Sequence, residues 1–138
     1  MRIFLDANVL FSAARSDGAI RRMLGDLRGA NHELVADEYV VAEAVRNLEL
    51  KAAAALGDWA DLIAMIHREP LVSPPSTWDS DLSSLPEKDR PVLAAAIRLR
   101  CEALVTGDRT HFGHLYGRTV AGVAIHSPRS LAESLLAG

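Results

Sequence analysis

Two short segments, far apart in the chain, each end an apolar run on an aspartate. One is Arg2-Ile3-Phe4-Leu5-Asp6-Ala7-Asn8-Val9-Leu10 and the other is Ala103-Leu104-Val105-Thr106-Gly107-Asp108-Arg109. Residues able to open a helix follow each of them. In an open parallel α/β sheet the carboxyl ends of the strands line one edge, and ligands bind in the crevice there. Asp6 and Asp108, delivered to that edge, could share one site. Carboxylates brought together repel, so a shared site needs protons or a cation. A hard divalent ion is the natural partner for oxygen donors of this kind.

Each acid also has a plain structural reading. Asp6 with Asn8 two residues on can form an Asx-turn that shapes a strand exit. Gly107-Asp108 is ordinary turn chemistry. Asp89 precedes Arg90-Pro91-Val92-Leu93, so it can cap a helix with proline in the first turn. Capping and ligation are compatible, because a carboxylate has two oxygens. Glu43 lies nearly opposite the apolar stripe Val41, Ala44, Val45, Leu48 and Ala52, where it could pair with Arg46 at i+3. Yet Val40, Leu50 and Ala54 make that opposite side partly apolar, so the helix could have a second buried edge.

The elements that must position these residues alternate. The pattern predicts strands over 2–6, 32–36, 70–73, 103–106 and 119–125, the first with both faces buried. It predicts helices over about 17–28, from Asp37 to about Leu56 with Gly57 as the stop, over about 58–67, 90–100 and 111–115, and a last one opened by Ser127-Pro128. Residues 73–88 read as loop, too short to divide the chain, so 1–138 is expected to be one domain. Strands alternating with helices argue for a parallel sheet with helices on both faces.

With 138 residues and 49% hydrophobic content, the chain can bury a real core, and disorder is not expected. No apolar stretch approaches a membrane span, and no secretory leader precedes Asp6, so the cytoplasm is the expected location. One cysteine, Cys101, excludes an internal disulfide and a thiolate zinc cluster. It reads as a buried, inert thiol. The net charge of −3 gives no global basic field. All but two of the 15 basic residues are arginine, Lys51 and Lys88 being the exceptions. Arginine suits bidentate phosphate contacts, although a GC-rich genome would enrich it too.

The motifs together resemble those of PIN-domain ribonucleases of the kind found as VapC-type toxins. The matching pieces are Phe4-Leu5-Asp6-Ala7-Asn8-Val9-Leu10, Glu43 in its helix, Lys88-Asp89-Arg90-Pro91-Val92-Leu93-Ala94-Ala95-Ala96, and Leu104-Val105-Thr106-Gly107-Asp108, followed by Gly122-Val123-Ala124-Ile125-His126-Ser127-Pro128. The resemblance implies a three-layer α/β/α sandwich with a mainly parallel central sheet. It implies Mg2+ or Mn2+ held between acids at strand carboxyl ends, metal-dependent hydrolysis of RNA, a cognate antitoxin and a homodimer. Carried over position by position, Asp6, Glu43, Asp89 and Asp108 match the catalytic, metal-binding acids, and Asn8 and Thr106 match polar positions beside them. The chain departs from the pattern just after Asp108. Many relatives carry another aspartate there, whereas this chain has Thr110 and His111. That departure bears on a second metal position, to which Glu87 is an alternative contributor.

Phosphodiester hydrolysis fits these residue types. A divalent ion stabilises charge on phosphorus oxygens and activates a water. No competing nucleophile is visible, since Ser12 has no histidine partner in any motif. Arg90, Arg109 and His111 are candidate phosphate contacts, with solvated surface as the alternative. Arg15, Arg21 and Arg22 have the same two readings. Trp59 fits helix packing, and Trp78 is the freer tryptophan for base stacking. Two other functional classes use similar features. An aspartate-dependent phosphotransfer or phosphatase domain would normally add an active-site lysine, and neither Lys51 nor Lys88 follows an expected strand. A non-catalytic RNA- or protein-binding module could also keep the fold.

Overall fold

The computed structural model describes residues 1–71 and 84–136. A six-stranded sheet forms the middle of the molecule. Its strands are β1 (Arg2–Leu5), β2 (Glu33–Asp37), β3 (His67–Glu69), β4 (Ala103–Val105), β5 (Thr119–Val120) and β6 (Val123–His126). Their spatial order is β3-β2-β1-β4-β6-β5, and every pairing is parallel except β5 with β6. Among the described residues the sheet is flanked by seven α-helices. These are α1 (Ala7–Arg15), α2 (Ala19–Gly29), α3 (Glu38–Lys51), α4 (Leu56–Ile63), α5 (Arg90–Arg98), α6 (Arg109–Phe112) and α7 (Pro128–Leu135). The architecture is the three-layer α/β/α sandwich with a mainly parallel sheet.

The chain order explains where a site can form. From β1 the chain steps outward through β2 to β3, then crosses back to place β4 on the other side of β1. The reversal puts a topological switch point between β1 and β4, where such sheets open a crevice at their carboxyl ends. The register aligns Leu5 with Val105, so Asp6 and Thr106 emerge side by side. The Asp6 N–H still donates to the Val105 carbonyl at 3.1 Å, which holds the two exits together.

Central strands carry apolar side chains on both faces. Ile3, Phe4, Leu5, Val35, Ala36, Leu104 and Val105 are all fully buried. Helices meet them with Leu10, Ala13, Leu24, Leu27, Ala44, Leu48, Leu93 and Ala96. Burial of each large aliphatic or aromatic side chain stabilises by about 1.5–3 kcal/mol, which anchors the rigid floor on which the acids stand.

Several element boundaries differ from the sequence reading. Residues 7–15 form a helix of their own, opened by Asp6, where the first helix was expected only from about 17. The third strand lies at His67–Glu69, earlier than the expected 70–73, of which 72 and 73 lie outside the described residues. It pairs by backbone at the sheet edge, where charged side chains are at home. The long helix from Asp37 stops at Lys51, with Ala52 leaving helical geometry (φ −153, ψ 52). Gly57 is then interior to α4 rather than a stop, and α4 ends at Ile63 instead of running to His67. The last expected strand is two, because Ala121 and Gly122 both take positive φ (48 and 87) and turn the chain back. The expected loop residues 73–83, Trp78 among them, lie outside the described residues, whereas Trp59 packs on the core as expected.

Candidate functional site

Asp6 is the buried anchor of the crevice, 5% exposed. One carboxylate oxygen accepts from the Ala7 N–H at 2.7 Å and so caps α1. The other accepts from the Thr106 hydroxyl at 2.8 Å and from the Asn8 amide at 3.2 Å. The residue therefore does two things at once: it caps a helix where the sequence suggested an Asx-turn, and it faces the crevice. Burial pushes its carboxyl up to about 6 from 3.8. The bonds from Thr106 and Ala7 pull the other way, and the charges of Glu43 and Asp89 add to the rise.

Asn8 and Thr106 join the two motifs. The Asn8 carbonyl oxygen accepts from the Gly107 N–H at 2.8 Å, and its amide reaches the Thr106 hydroxyl at 3.3 Å. The Thr106 hydroxyl also accepts from the Asp108 N–H at 3.1 Å. One fully buried hydroxyl thus orients Asp6 on one side and the backbone of Asp108 on the other. Tyr116 supports this strand end from below, donating to the Thr106 carbonyl at 2.7 Å.

Asp108 caps the short helix α6, accepting from the His111 N–H at 3.1 Å. Its second oxygen lies 2.9 Å from Nδ1 of His111. The same Nδ1 is 3.0 Å from Oδ2 of Asp89. That second contact has ion-pair distance without hydrogen-bond geometry, so Oδ2 of Asp89 is buried with no hydrogen-bond partner. Asp89 stands at the N-cap position of α5, but its backbone is helical and its side chain makes no cap bond. The capping reading of Asp89 is therefore corrected: Pro91 serves the first turn alone, and the carboxylate is left facing His111 and Asp108. Burial raises the Asp89 pKa and the neighbouring His111 and Lys88 lower it, with Asp108 raising it again.

Glu43 is half-buried on α3, and its charge acts on both Asp6 and Tyr39. The second buried helix edge expected from Val40, Leu50 and Ala54 is corrected: Val40 is buried, but Leu50 is 75% exposed and Ala54 lies past the helix end, so Glu43 is tied to the crevice by its charge alone. Tyr39, one turn earlier, donates its hydroxyl to the Lys88 carbonyl at 2.8 Å and so ties α3 to the segment carrying Asp89. Sequence reasoning did not single out either tyrosine. Both look like generic packing residues until the fold places their hydroxyls on the backbone of the site.

The remaining candidates divide. Arg109 is exposed beside Asp108. Arg90 donates Nε to the Leu85 carbonyl at 3.0 Å, which ties the preceding loop to α5. Arg21 serves structure, donating to the carbonyls of Ala13 and Ala14 at the end of α1. Arg15 lies over the Phe11 ring. Glu87 is exposed, and Ser12 is exposed on α1. Cys101 is buried, and burial pushes its thiol up to about 11, which keeps it protonated and unreactive.

The donor set of the crevice suits a cation. Oxygens of Asp89 and Asp108 and a ring nitrogen of His111 lie within 4.8 Å of one another, the one such group among the described residues. A buried carboxylate oxygen with no hydrogen-bond partner sits in that group. Repelling carboxylates with an unmatched oxygen fit a divalent ion. Asp6 and Glu43 stand outside this group, and the charges of Glu43 and Asp89 both act on Asp6.

A parallel sheet whose switch point gathers carboxylates from three separate motifs defines an α/β acidic-site protein. The model of the PIN domain family matches residues 2–110, and the chain belongs to that family. No curated protein gives a match. Among solved structures, VapBC2 from Rickettsia felis bound to a DNA fragment from their promoter is similar in fold. The TM-score is 0.70 at 14% identity, over 92% of this chain and 98% of that one. VapBC-1 from nontypeable Haemophilus influenzae gives 0.61 at 13% identity, over 94% and 99%.

Proposed function

We propose that this chain is a single-domain, Mg2+- or Mn2+-dependent endoribonuclease and the toxin of a toxin–antitoxin pair, working in the cytoplasm as a homodimer held in check by its antitoxin. The observation that carries the catalytic part is the grouping of Asp89, Asp108 and His111 beside buried Asp6, with an unmatched carboxylate oxygen among them. Membership of the PIN domain family supports nuclease chemistry, and the fold shared with VapBC chains supports an antitoxin partner.

Asp89 and Asp108 would hold the ion, with Asp6 and Glu43 supplying negative charge beside it. When bound, the ion supplies charge stabilisation for the phosphodiester and activates a water. Thr106 and Asn8 fix Asp6 in place and keep it from swinging toward solvent. Tyr39 holds the backbone at Asp89. Exposed Arg109 offers a guanidinium to a flanking phosphate, where a planar fork matches phosphate oxygens. No helix among the described residues is long and apolar enough to cross a membrane.

The test is cleavage of single-stranded and structured RNA by the purified chain with Mg2+, with Mn2+ or in EDTA. The expected result is internal cleavage with either ion and none in EDTA. Equal cleavage in EDTA would overturn the metal-dependent mechanism. RNA binding with no cleavage under any ion would favour a binding module. For the cellular part, expression of the chain alone is expected to arrest growth, and co-expression of its genetic neighbour to relieve it.

A further inference from the structure

We infer that His111 is itself a ligand of the ion, through Nδ1, and that the site therefore prefers Mn2+ and later first-row ions to Mg2+. The inference rests on the reading of Asp89 and Asp108 as ion ligands and adds a nitrogen to them.

Geometry comes first. Nδ1 of His111 lies 3.0 Å from Oδ2 of Asp89 and 2.9 Å from Oδ2 of Asp108. Adjacent ligands on an octahedral ion with bonds near 2.1 Å are separated by about 3 Å. Both nitrogen–oxygen separations already stand at that spacing, and the donor atoms of the three residues, from two different parts of the chain, lie within 4.8 Å of one another. An ion that touches both oxygens meets the imidazole nitrogen between them. It must either accept that nitrogen or drive the ring out.

The ring is not easily driven out. The His111 backbone N–H is held by Oδ1 of Asp108 in the first turn of α6. Phe112 beside it is fully buried, which pins the turn to the core. The His111 side chain is only 27% exposed. Its Nδ1 faces the crevice rather than open solvent, so no rotation of α6 is needed to present it.

Donor chemistry then sets the preference. Mg2+ favours oxygen donors and dehydrates reluctantly, so it gains little from an imidazole. First-row transition ions accept nitrogen readily, and their affinity rises along the series from Mn2+. A site of two carboxylates and one imidazole is mixed, and Mn2+ is the member of that series that also suits carboxylate. An aspartate in place of His111 would restore an all-oxygen set.

The experiment uses the purified full chain stripped with EDTA. Mn2+ binding is followed by electron paramagnetic resonance, Mg2+ is titrated as competitor, and ligand nitrogen is read by electron spin-echo modulation of the bound Mn2+. The variants are Asp108→Asn, His111→Asp and His111→Asn. Expected for the wild type is Mn2+ binding that needs Asp108 and shows directly bonded nitrogen. The nitrogen signal should vanish in both His111 variants. In His111→Asp, the Mg2+ excess needed to displace Mn2+ should fall by about tenfold. Mn2+ bound through Asp108 with no nitrogen signal in the wild type would overturn the inference alone. Absence of Mn2+ binding, or binding untouched by Asp108→Asn, would overturn both it and the reading beneath it. The wild-type spectrum decides the ligand question even where a variant fails to fold.

Discussion

Replacing Asp6 with asparagine should make the metal-free protein more stable at alkaline pH and less stable at acidic pH. Asp6 is almost fully buried, and its carboxyl is pushed up to about 6 from 3.8. A rise of that size is worth about 3 kcal/mol once the group is ionised in both states. The sign follows from proton counting. Between about pH 4 and 6 the folded protein holds a proton that the unfolded chain has released, so stability falls as pH rises through that window. Below it Asp6 carries no penalty, and above it the whole penalty is present. Asparagine has no charge to desolvate, but its amide would face the donors of Asn8 and Thr106, which both point at Oδ2. That mismatch costs about 1 kcal/mol. The net gain for Asp6→Asn is then about 1–2 kcal/mol at about pH 8, with a loss of about 1 kcal/mol near pH 4. Urea unfolding in EDTA at both pH values measures it. A variant less stable than wild type at alkaline pH, or a difference that ignores pH, would refute the claim that a buried charge dominates this residue.

Three further outcomes are expected. Asp108→Asn should abolish RNA cleavage while changing stability by less than about 0.5 kcal/mol, because asparagine caps a helix as well as aspartate does; circular dichroism melts and cleavage assays on one preparation check this. Thr106→Val should cost about 1–3 kcal/mol, since it strips a buried hydroxyl that serves Asp6, Asn8 and Asp108, whereas Thr106→Ser should recover most of that loss in urea melts. Mn2+ at about a hundred times its dissociation constant should stabilise the wild type by about 2.7 kcal/mol, and should leave Asp108→Asn unmoved; thermal shift with and without EDTA reads it.

The parts of this fold that were legible in the sequence are those where several local signals agree. Asp6 and Asp108 end apolar runs, so each strand and its exit were readable from a few adjacent residues, whereas the helix that Asp6 caps at Ala7–Arg15 was not, the residue pair Asp6 and Asn8 suiting an Asx-turn equally well. The edge strand at His67-Arg68-Glu69 was not, because it forms by backbone pairing with β2 and carries no apolar pattern. The break at Ala52 was hidden inside an alanine-rich stretch that would sustain a helix equally well. Glu43 could not be placed by periodicity: the second apolar edge expected of its helix does not form, since Leu50 is 75% exposed and Ala54 lies beyond the helix end, and only Val40 of that edge is buried. His111 was legible as a polar residue three places after Asp108, but its second partner, Asp89, arrives from another part of the chain. Long-range pairing of that kind leaves no trace in local spacing. The same holds for Tyr39 and Tyr116, whose hydroxyls find backbone carbonyls far along the sequence or across a turn.

The acids of this site are held in a state that costs folding energy, and the way they are held explains how such a cost is tolerated. Asp6 could relax by turning to water, but Ala7, Asn8 and Thr106 fix both of its oxygens. Asp108 is fixed by the first turn it caps, and Asp89 by the segment that Tyr39 clamps. Each tie is an ordinary hydrogen bond worth about 1 kcal/mol, yet each is made by an element already anchored in the core. The repulsion among the acids is therefore borne by the whole sheet rather than by any one loop. A charge cluster held this way has little freedom to spread, so a cation entering it meets donors already in position and loses little in ordering them. The same logic applies to a cationic side chain from a protein partner, which would meet the same fixed carboxylates. On the proposed function, rigidity of the switch point would serve ion binding and restraint alike, and it is set by the β1–β4 pairing that aligns Leu5 with Val105.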